Sequence, residues 1–103
     1  MKILLVDDHA VVRQGYASLL KALFPEVTVS EAASGEQALD QVQESIPSLV
    51  VLDLGLPGIS GLETCRRLRQ RLPLMPVLIF SMHDELALVR QALDAGASGY
   101  LTK

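Results

Sequence analysis

Short apolar runs alternate with segments of helical periodicity along the whole chain, and this alternation restricts the fold more than any other feature. Five apolar runs occupy residues 2–6, 27–32, 49–53, 76–81 and 98–102. Between them, apolar residues recur at helical spacing, which predicts four amphipathic helices. The four stripes are Val12/Tyr16/Leu19/Leu20/Leu23, Leu39/Val42/Ile46, Cys65/Leu68/Leu72 and Leu86/Val89/Leu93. Strict alternation of strands and helices predicts an α/β fold with a parallel sheet and right-handed crossovers.

The first, third and fourth runs are continuously apolar, which is typical of strands covered on both faces. We therefore predict a doubly wound, five-stranded parallel sheet of order 2-1-3-4-5, a flavodoxin-like arrangement. Periodicity alone leaves open another strand order built from the same elements. Two predicted helices begin with capping boxes, Ser34 with Gln37 and Ser60 with Glu63.

Length and charge exclude several classes of protein. The 103 residues fit one domain, residues 1–103. A net charge of -3 argues against a nucleic-acid-binding surface, because phosphate backbones require clustered Lys and Arg. The single cysteine, Cys65, excludes an intrachain disulfide and lies on an apolar stripe, so we expect it in the core. No apolar run approaches the roughly 18 residues of a membrane span, and we expect a cytoplasmic protein.

Polar side chains stand where four of the five predicted strands end. The first strand ends in Asp7 and Asp8, the third in Asp53, the fourth in Ser81, and the fifth runs into Lys103. Ligands of a doubly wound sheet bind outside the carboxyl ends of the strands, where the strand order reverses. In the order 2-1-3-4-5 these four endings belong to neighbouring strands, so we expect them to share one cleft.

Three carboxylates in one cleft repel one another, and a divalent cation together with Lys103 would balance their charge. Carboxylate oxygens favour Mg²⁺, or Mn²⁺, over zinc. The glycine-rich loop after Asp53 can turn a backbone carbonyl, such as that of Gly55, toward the cation. In such a site Asp53 is a candidate nucleophile for phosphoryl transfer, a reaction that depends mainly on positioning and charge neutralisation.

Four stretches, residues 3–9, 49–61, 77–81 and 97–103, resemble the receiver domain of response regulators, in order and with its spacing. The resemblance runs from end to end. It implies that Asp53 is the phosphoacceptor, that Asp8 and Asp53 bind Mg²⁺ directly, that Asp7 binds it mostly through water, and that Gly55 offers its carbonyl. It further implies that two side chains contact the phosphoryl group, Ser81 by a hydrogen bond and Lys103 as an ion pair, and that one aromatic residue, Tyr100, turns inward on activation.

The resemblance also implies partners. The phosphoryl donor would be a sensor histidine kinase or a small-molecule phosphodonor, and no external substrate would be turned over. Residues 61–63 and 81–85 are similar to those of regulators that carry a LuxR/FixJ-type helix-turn-helix output domain and control transcription. DNA would then be contacted only through that output domain, which is not in this chain, and a receiver–receiver homodimer is compatible with the family.

Two departures from the family pattern stand out. Met82 follows Ser81 where many receivers have a small residue, so it is expected to affect the lifetime of the phosphorylated state. The sequence reaches Lys103 without the family's fifth helix, so we expect a C-terminally incomplete receiver that is marginally stable alone, with an exposed apolar patch and an open edge strand.

Other functions fit the residues less well. A Mg²⁺-dependent phosphatase usually has a second Asp two residues after the nucleophile, where this chain has Gly55. A flavodoxin-like nucleotide binder needs a hydroxyl- or glycine-rich phosphate loop after the first strand, where Asp7 and Asp8 would repel phosphate. A receiver-like contact module that is never phosphorylated remains the main alternative. His9 and His83 are expected to be exposed loop residues rather than ligands, and Leu88 an interface or surface residue.

Overall fold

The computed structural model describes residues 1–103 and contains five strands and four helices in strict alternation. The strands are β1 (Lys2–Val6), β2 (Thr28–Ala32), β3 (Leu49–Leu52), β4 (Val77–Ser81) and β5 (Gly99–Thr102). The helices are α1 (Ala10–Leu23), α2 (Gly35–Glu44), α3 (Gly61–Arg71) and α4 (Leu86–Asp94). Each strand lies within one residue of its predicted run at either end.

All neighbouring strands pair in parallel, in the order β2-β1-β3-β4-β5. The predicted fold class and strand order are therefore confirmed. β1 lies between β2 and β3, and its residues pair in register with both neighbours, Leu4 with Ser30 on one side and Val50 on the other. The order reverses at β1 and β3, so the ends of these strands border the cleft where a ligand is expected.

Side chains of successive strand residues point to opposite faces and form two apolar layers. Leu4 and Val6 belong to the larger layer, which packs against α2, α3 and α4. Ile3 and Leu5 belong to a smaller layer that packs against α1. Both faces of β1 are therefore buried, which explains, as predicted, why this strand is continuously apolar.

Only α1 covers the second face of the sheet, and an apolar groove remains beside it. Leu5, Val51, Leu78, Phe80 and Leu101 line the groove from the sheet side. Tyr16, Leu19 and Leu20 line it from α1, and the Tyr16 and Phe80 rings meet edge to face at 5.1 Å between centroids. The groove is the exposed apolar patch that the sequence predicts, and β2 and β5 form the two sheet edges.

The helix starts also follow the sequence. The Ser34 hydroxyl accepts from the amide of Gln37, and the Gln37 side chain accepts in return from the amide of Ala33. The Ser60 hydroxyl accepts from the amide of Glu63. These bonds satisfy amides that the first helical turn leaves free, which fixes where α2 and α3 begin.

Three predicted helical stripes are wrong in detail. On α1, Val12, Leu19 and Leu23 are exposed. α2 ends at Glu44, and Ile46 lies beyond it with an exposed side chain. On α4, Leu86 and Leu93 are exposed, whereas Ala92 is fully buried and Leu88 packs against the core. The predicted interface or surface role of Leu88 is wrong as well. α4 carries two apolar stripes, and periodicity alone does not decide which one faces the sheet.

Candidate functional site

The carboxyl ends of β1, β3, β4 and β5 meet at one depression, as the strand order requires. Asp7 and Asp53 each follow the last residue of a buried strand, and both are buried, at 6% and 7% exposure. Each amide bonds across the sheet, Asp7 to the carbonyl of Ala32 and Asp53 to that of Val6. The sheet ladder therefore fixes the backbone that carries the two carboxylates.

Asp8 completes the acidic group from the exposed start of the β1–α1 loop. Carboxylate oxygens of Asp7, Asp8 and Asp53 and a ring nitrogen of His9 all lie within 4.8 Å of one another. Three hard carboxylate oxygens at this separation are compatible with a divalent cation. Gly55 lines the same depression, and its amide lies 3.4 Å from a carboxylate oxygen of Asp53.

Lys103 provides the positive charge that the sequence places in this cleft. Its Nζ lies 2.7 Å from Oδ2 of Asp7 and 3.4 Å from Oδ2 of Asp53, and its side chain is only 13% exposed. Its amide donates to the carbonyl of Ser81 at 2.8 Å, which continues the β4–β5 pairing and aims the side chain inward.

The charges in this cleft shift two pKa values. Burial tends to raise the pKa of Asp7, but hydrogen bonds from Lys103 and from the amide of His9 outweigh it and hold the pKa below its ordinary value. Burial tends to lower the pKa of Lys103, but Asp7 and Asp53 outweigh it and hold this pKa above its ordinary value. The Asp7–Lys103 pair is therefore ionised at neutral pH.

Sequence reasoning overlooked Arg13, which fixes the backbone of Asp7. Its Nη1 donates to the carbonyl of Asp7 at 2.6 Å, while its Nε pairs with Glu31 at 2.9 Å. The available signal was the one arginine of this amphipathic helix, which lies one turn into it and six residues after Asp7.

Ser81, Tyr100 and the β4–α4 loop form one hydrogen-bonded group. Ser81 is fully buried, and its hydroxyl accepts from the amide of His83 at 3.3 Å. The half-buried Tyr100 donates its hydroxyl to the carbonyl of the same residue, His83. Burial raises the pKa of Tyr100, so its hydroxyl stays protonated and able to donate.

The two histidines differ in their surroundings. His9 is exposed as predicted, but its Nδ1 lies 3.0 Å from Asp7 and 3.2 Å from Asp8, so it borders the acidic group. His83 lines the same depression, and its Nδ1 lies 3.8 Å from a carboxylate oxygen of Glu85. Met82 lines the depression and is 78% exposed.

Comparison with known proteins decides the family. Residues 3–103 match the response regulator receiver domain. The chain belongs to the response regulator receiver family. Among curated relatives, it is 63% identical over 103 residues to the transcriptional activator protein ExaE of Pseudomonas putida, covering 100% of this chain and 48% of the relative. It is 40% identical over 102 residues to the nitrate/nitrite response regulator protein NarL of Escherichia coli, covering 98% of this chain and 47% of the relative.

Solved receiver structures agree with this family and with the fold. A two-component response regulator of the LuxR family from Aurantimonas superposes with a TM-score of 0.93 at 45% identity, over 99% of this chain and 73% of that one. The receiver therefore belongs to the LuxR/NarL-type response regulators. The chain spans about half the length of the curated relatives it matches. No helix of the structure is long and apolar enough to cross a membrane.

Proposed function

We propose that this receiver domain is a phosphorylation switch in which Asp53 accepts the phosphoryl group. The observation that carries the proposal is the position of the Asp53 carboxylate. It is buried at the end of a central strand, 3.4 Å from the ammonium of Lys103 and within 4.8 Å of ligand atoms of Asp7 and Asp8. A carboxylate so placed is oriented by the sheet and is charge-balanced on the side where a phosphoryl group would enter.

Asp7, Asp8 and Asp53, with the carbonyl of Gly55, are the groups that would hold Mg²⁺ or Mn²⁺. The donor set fits because it is made of hard oxygens and because three clustered carboxylates have only one ammonium partner. When bound, the ion supplies neutralisation of the charge on phosphoryl oxygens.

The remaining chemistry belongs to the side chains. A carboxylate oxygen of Asp53 forms a bond to phosphorus as the P–N bond of a phosphohistidine breaks. The electron pair of that bond leaves with the imidazole, which takes up a proton. Lys103 and Ser81 bind the phosphoryl oxygens, Lys103 by charge and Ser81 by its hydroxyl. Catalysis rests on positioning and charge neutralisation, as is general for phosphoryl transfer.

The switch itself lies in the Ser81–His83–Tyr100 group. Ser81 now accepts a hydrogen bond from the amide of His83, and Tyr100 donates to the carbonyl of that residue. A phosphoryl group on Asp53 would accept the O–H of Ser81 and draw the hydroxyl toward it, away from the amide of His83, so the loop and Tyr100 would rearrange. Phosphorylation shifts the equilibrium only to the extent that it contacts the two arrangements differently.

The partners follow from the family. A sensor histidine kinase would donate the phosphoryl group in the cytoplasm, and the domain would turn over no external substrate. The name of one relative, the transcriptional activator protein ExaE, supports control of transcription. The resemblance to LuxR-type regulators implies a helix-turn-helix output domain, which alone would contact DNA. A receiver–receiver homodimer is one way to transmit the signal.

The test is the intact mass of the protein after incubation with acetyl phosphate and Mg²⁺. We expect the parent chain and the control Asp40→Asn to gain one phosphoryl group, and Asp53→Asn or EDTA to abolish the gain. No gain in a parent sample that is folded by circular dichroism would refute the proposal and favour the contact module. Gain by the Asp53→Asn variant would place the phosphoacceptor elsewhere.

A further inference from the structure

The start of α2 holds the loop that connects β3 to α3. This loop, residues 53–60, contains Asp53 and Gly55 and is rich in glycine. The amide of Ile59 donates to Oε2 of Glu36 at 3.2 Å. This is the only hydrogen bond between the loop and α2, and it joins residues that are 23 positions apart in the chain.

A steric observation independently places the Glu36 carboxylate against the loop. Gly58 has a positive φ of 72°, a conformation that favours glycine. A Cβ at Gly58 would lie 2.4 Å from Oε2 and 2.9 Å from Oε1 of Glu36. The carboxylate therefore occupies the space that a side chain at position 58 would need, and the glycine allows the contact.

Close packing of α2 against α3, and of α3 against Asp53, connects the start of α2 with the phosphoacceptor. Next to Glu36, a Cβ at Gly35 would lie 2.0 Å from Oγ1 of Thr64, so α2 and α3 touch at their first turns. A Cβ at Gly61 would lie 2.4 Å from the carbonyl oxygen of Asp53. The first turn of α3 thus lies directly on the backbone of Asp53. Glu36 contacts the same loop further along the chain, at Gly58 and Ile59.

We propose that Glu36 is a positioning residue that holds the β3–α3 loop in the conformation that binds the divalent cation. The inference rests on the proposed function, in which Asp53 and the carbonyl of Gly55 contact that cation. A loop with two glycines in eight residues loses much conformational entropy when it is ordered. Without Glu36 the loop populates its binding conformation less often, and the apparent dissociation constant rises in inverse proportion to that population.

The test compares Glu36→Ala and Glu36→Gln with Asp40→Ala, which removes an exposed carboxylate one turn further along α2. The Mg²⁺ dissociation constant is measured by isothermal titration calorimetry, and exchange of the Ile59 amide is measured by NMR in EDTA. We expect Glu36→Ala to raise the dissociation constant about threefold to tenfold, the effect of one ordinary hydrogen bond. The same variant should exchange the Ile59 amide faster.

The conservative variant separates the hydrogen bond from the charge. Glu36→Gln keeps an acceptor for Ile59, so its Mg²⁺ affinity and amide exchange should match those of the parent, as should those of Asp40→Ala. The inference is overturned if Glu36→Ala binds Mg²⁺ as Asp40→Ala does, if Glu36→Gln loses as much affinity as Glu36→Ala, or if affinity merely follows the melting temperature across all variants. A parent that binds no Mg²⁺ overturns the proposed function as well, whereas the exchange data still report whether Glu36 holds the loop.

Discussion

Replacing Lys103 with Met should destabilise the metal-free protein and make its stability depend on Mg²⁺. Met keeps an apolar stem but removes the ammonium that lies 2.7 Å from Asp7 and 3.4 Å from Asp53. The shorter contact is a charge-assisted hydrogen bond between enclosed groups, worth about 1.5–3 kcal/mol. The longer one exceeds the usual hydrogen-bond range, so it acts mainly through charge. Because Asp7 keeps its bond from the amide of His9, we expect a loss of about 2 kcal/mol.

The assay is urea denaturation at pH 7 in EDTA, with Lys21→Met as the control on the exposed side of α1. Mg²⁺ should stabilise Lys103→Met more than the parent, because the variant has lost the competing cation and ligand binding to the native state adds free energy of unfolding. The reasoning is wrong if Lys103→Met and Lys21→Met unfold at the same urea concentration in EDTA, or if Mg²⁺ stabilises the parent more.

The pH dependence gives a second check on the same pair. Asp7 has a lowered pKa in the folded state, so its stabilisation is present above the ordinary Asp pKa of about 3.9 and is lost as the pH falls through the lower folded value. Lys103 has a raised pKa, so its stabilisation is present below about 10.4 and is lost as the pH rises through the higher folded value. In EDTA the difference between parent and Lys103→Met should therefore stay constant between pH 5 and 9, by these pKa values, and shrink in stronger acid.

Three further predictions concern packing and access. Leu88→Ala should lower the free energy of unfolding by about 1–3 kcal/mol in urea titrations, because Leu88 packs against the core. Leu86 is exposed, so Leu86→Ala should change this free energy by under about 0.5 kcal/mol. Equal losses would contradict the orientation of α4. Burial raises the pKa of the Cys65 thiol, so a disulfide reagent at pH 8 should label it only at the rate of unfolding, and fast labelling of native protein would contradict its burial. Met82→Ala should shorten the lifetime of the Asp53 phosphoryl group, because it opens the depression to water. The lifetime is measured as phosphoryl loss after removal of the donor, and an unchanged lifetime would show that Met82 does not limit the access of water.

Much of the candidate site could be predicted because its residues stand next to strands that the sequence marks clearly. Asp7 and Lys103 directly follow an apolar run, and Asp53 is the last residue of one. Parallel strands bring their carboxyl ends to one edge, so the positions of these residues along the chain already imply their proximity. Arg13 and Glu36 were missed because each contacts a backbone group outside its own helix, the carbonyl of Asp7 and the amide of Ile59. No periodicity or local motif encodes such a contact.

The sequence by itself determined the elements, the parallel sheet and the set of polar strand endings, because these depend on local hydrophobic period and on chain order. Only the tertiary structure decided which stripe of α4 faces the sheet, where Leu88 rather than Leu86 meets the core. Only the tertiary structure placed the carboxylate of Glu36 against Gly58. Both depend on how the helices pack closely against the sheet and against neighbouring loops. The contacts that determine this packing join residues far apart in the chain, so no local pattern encodes them.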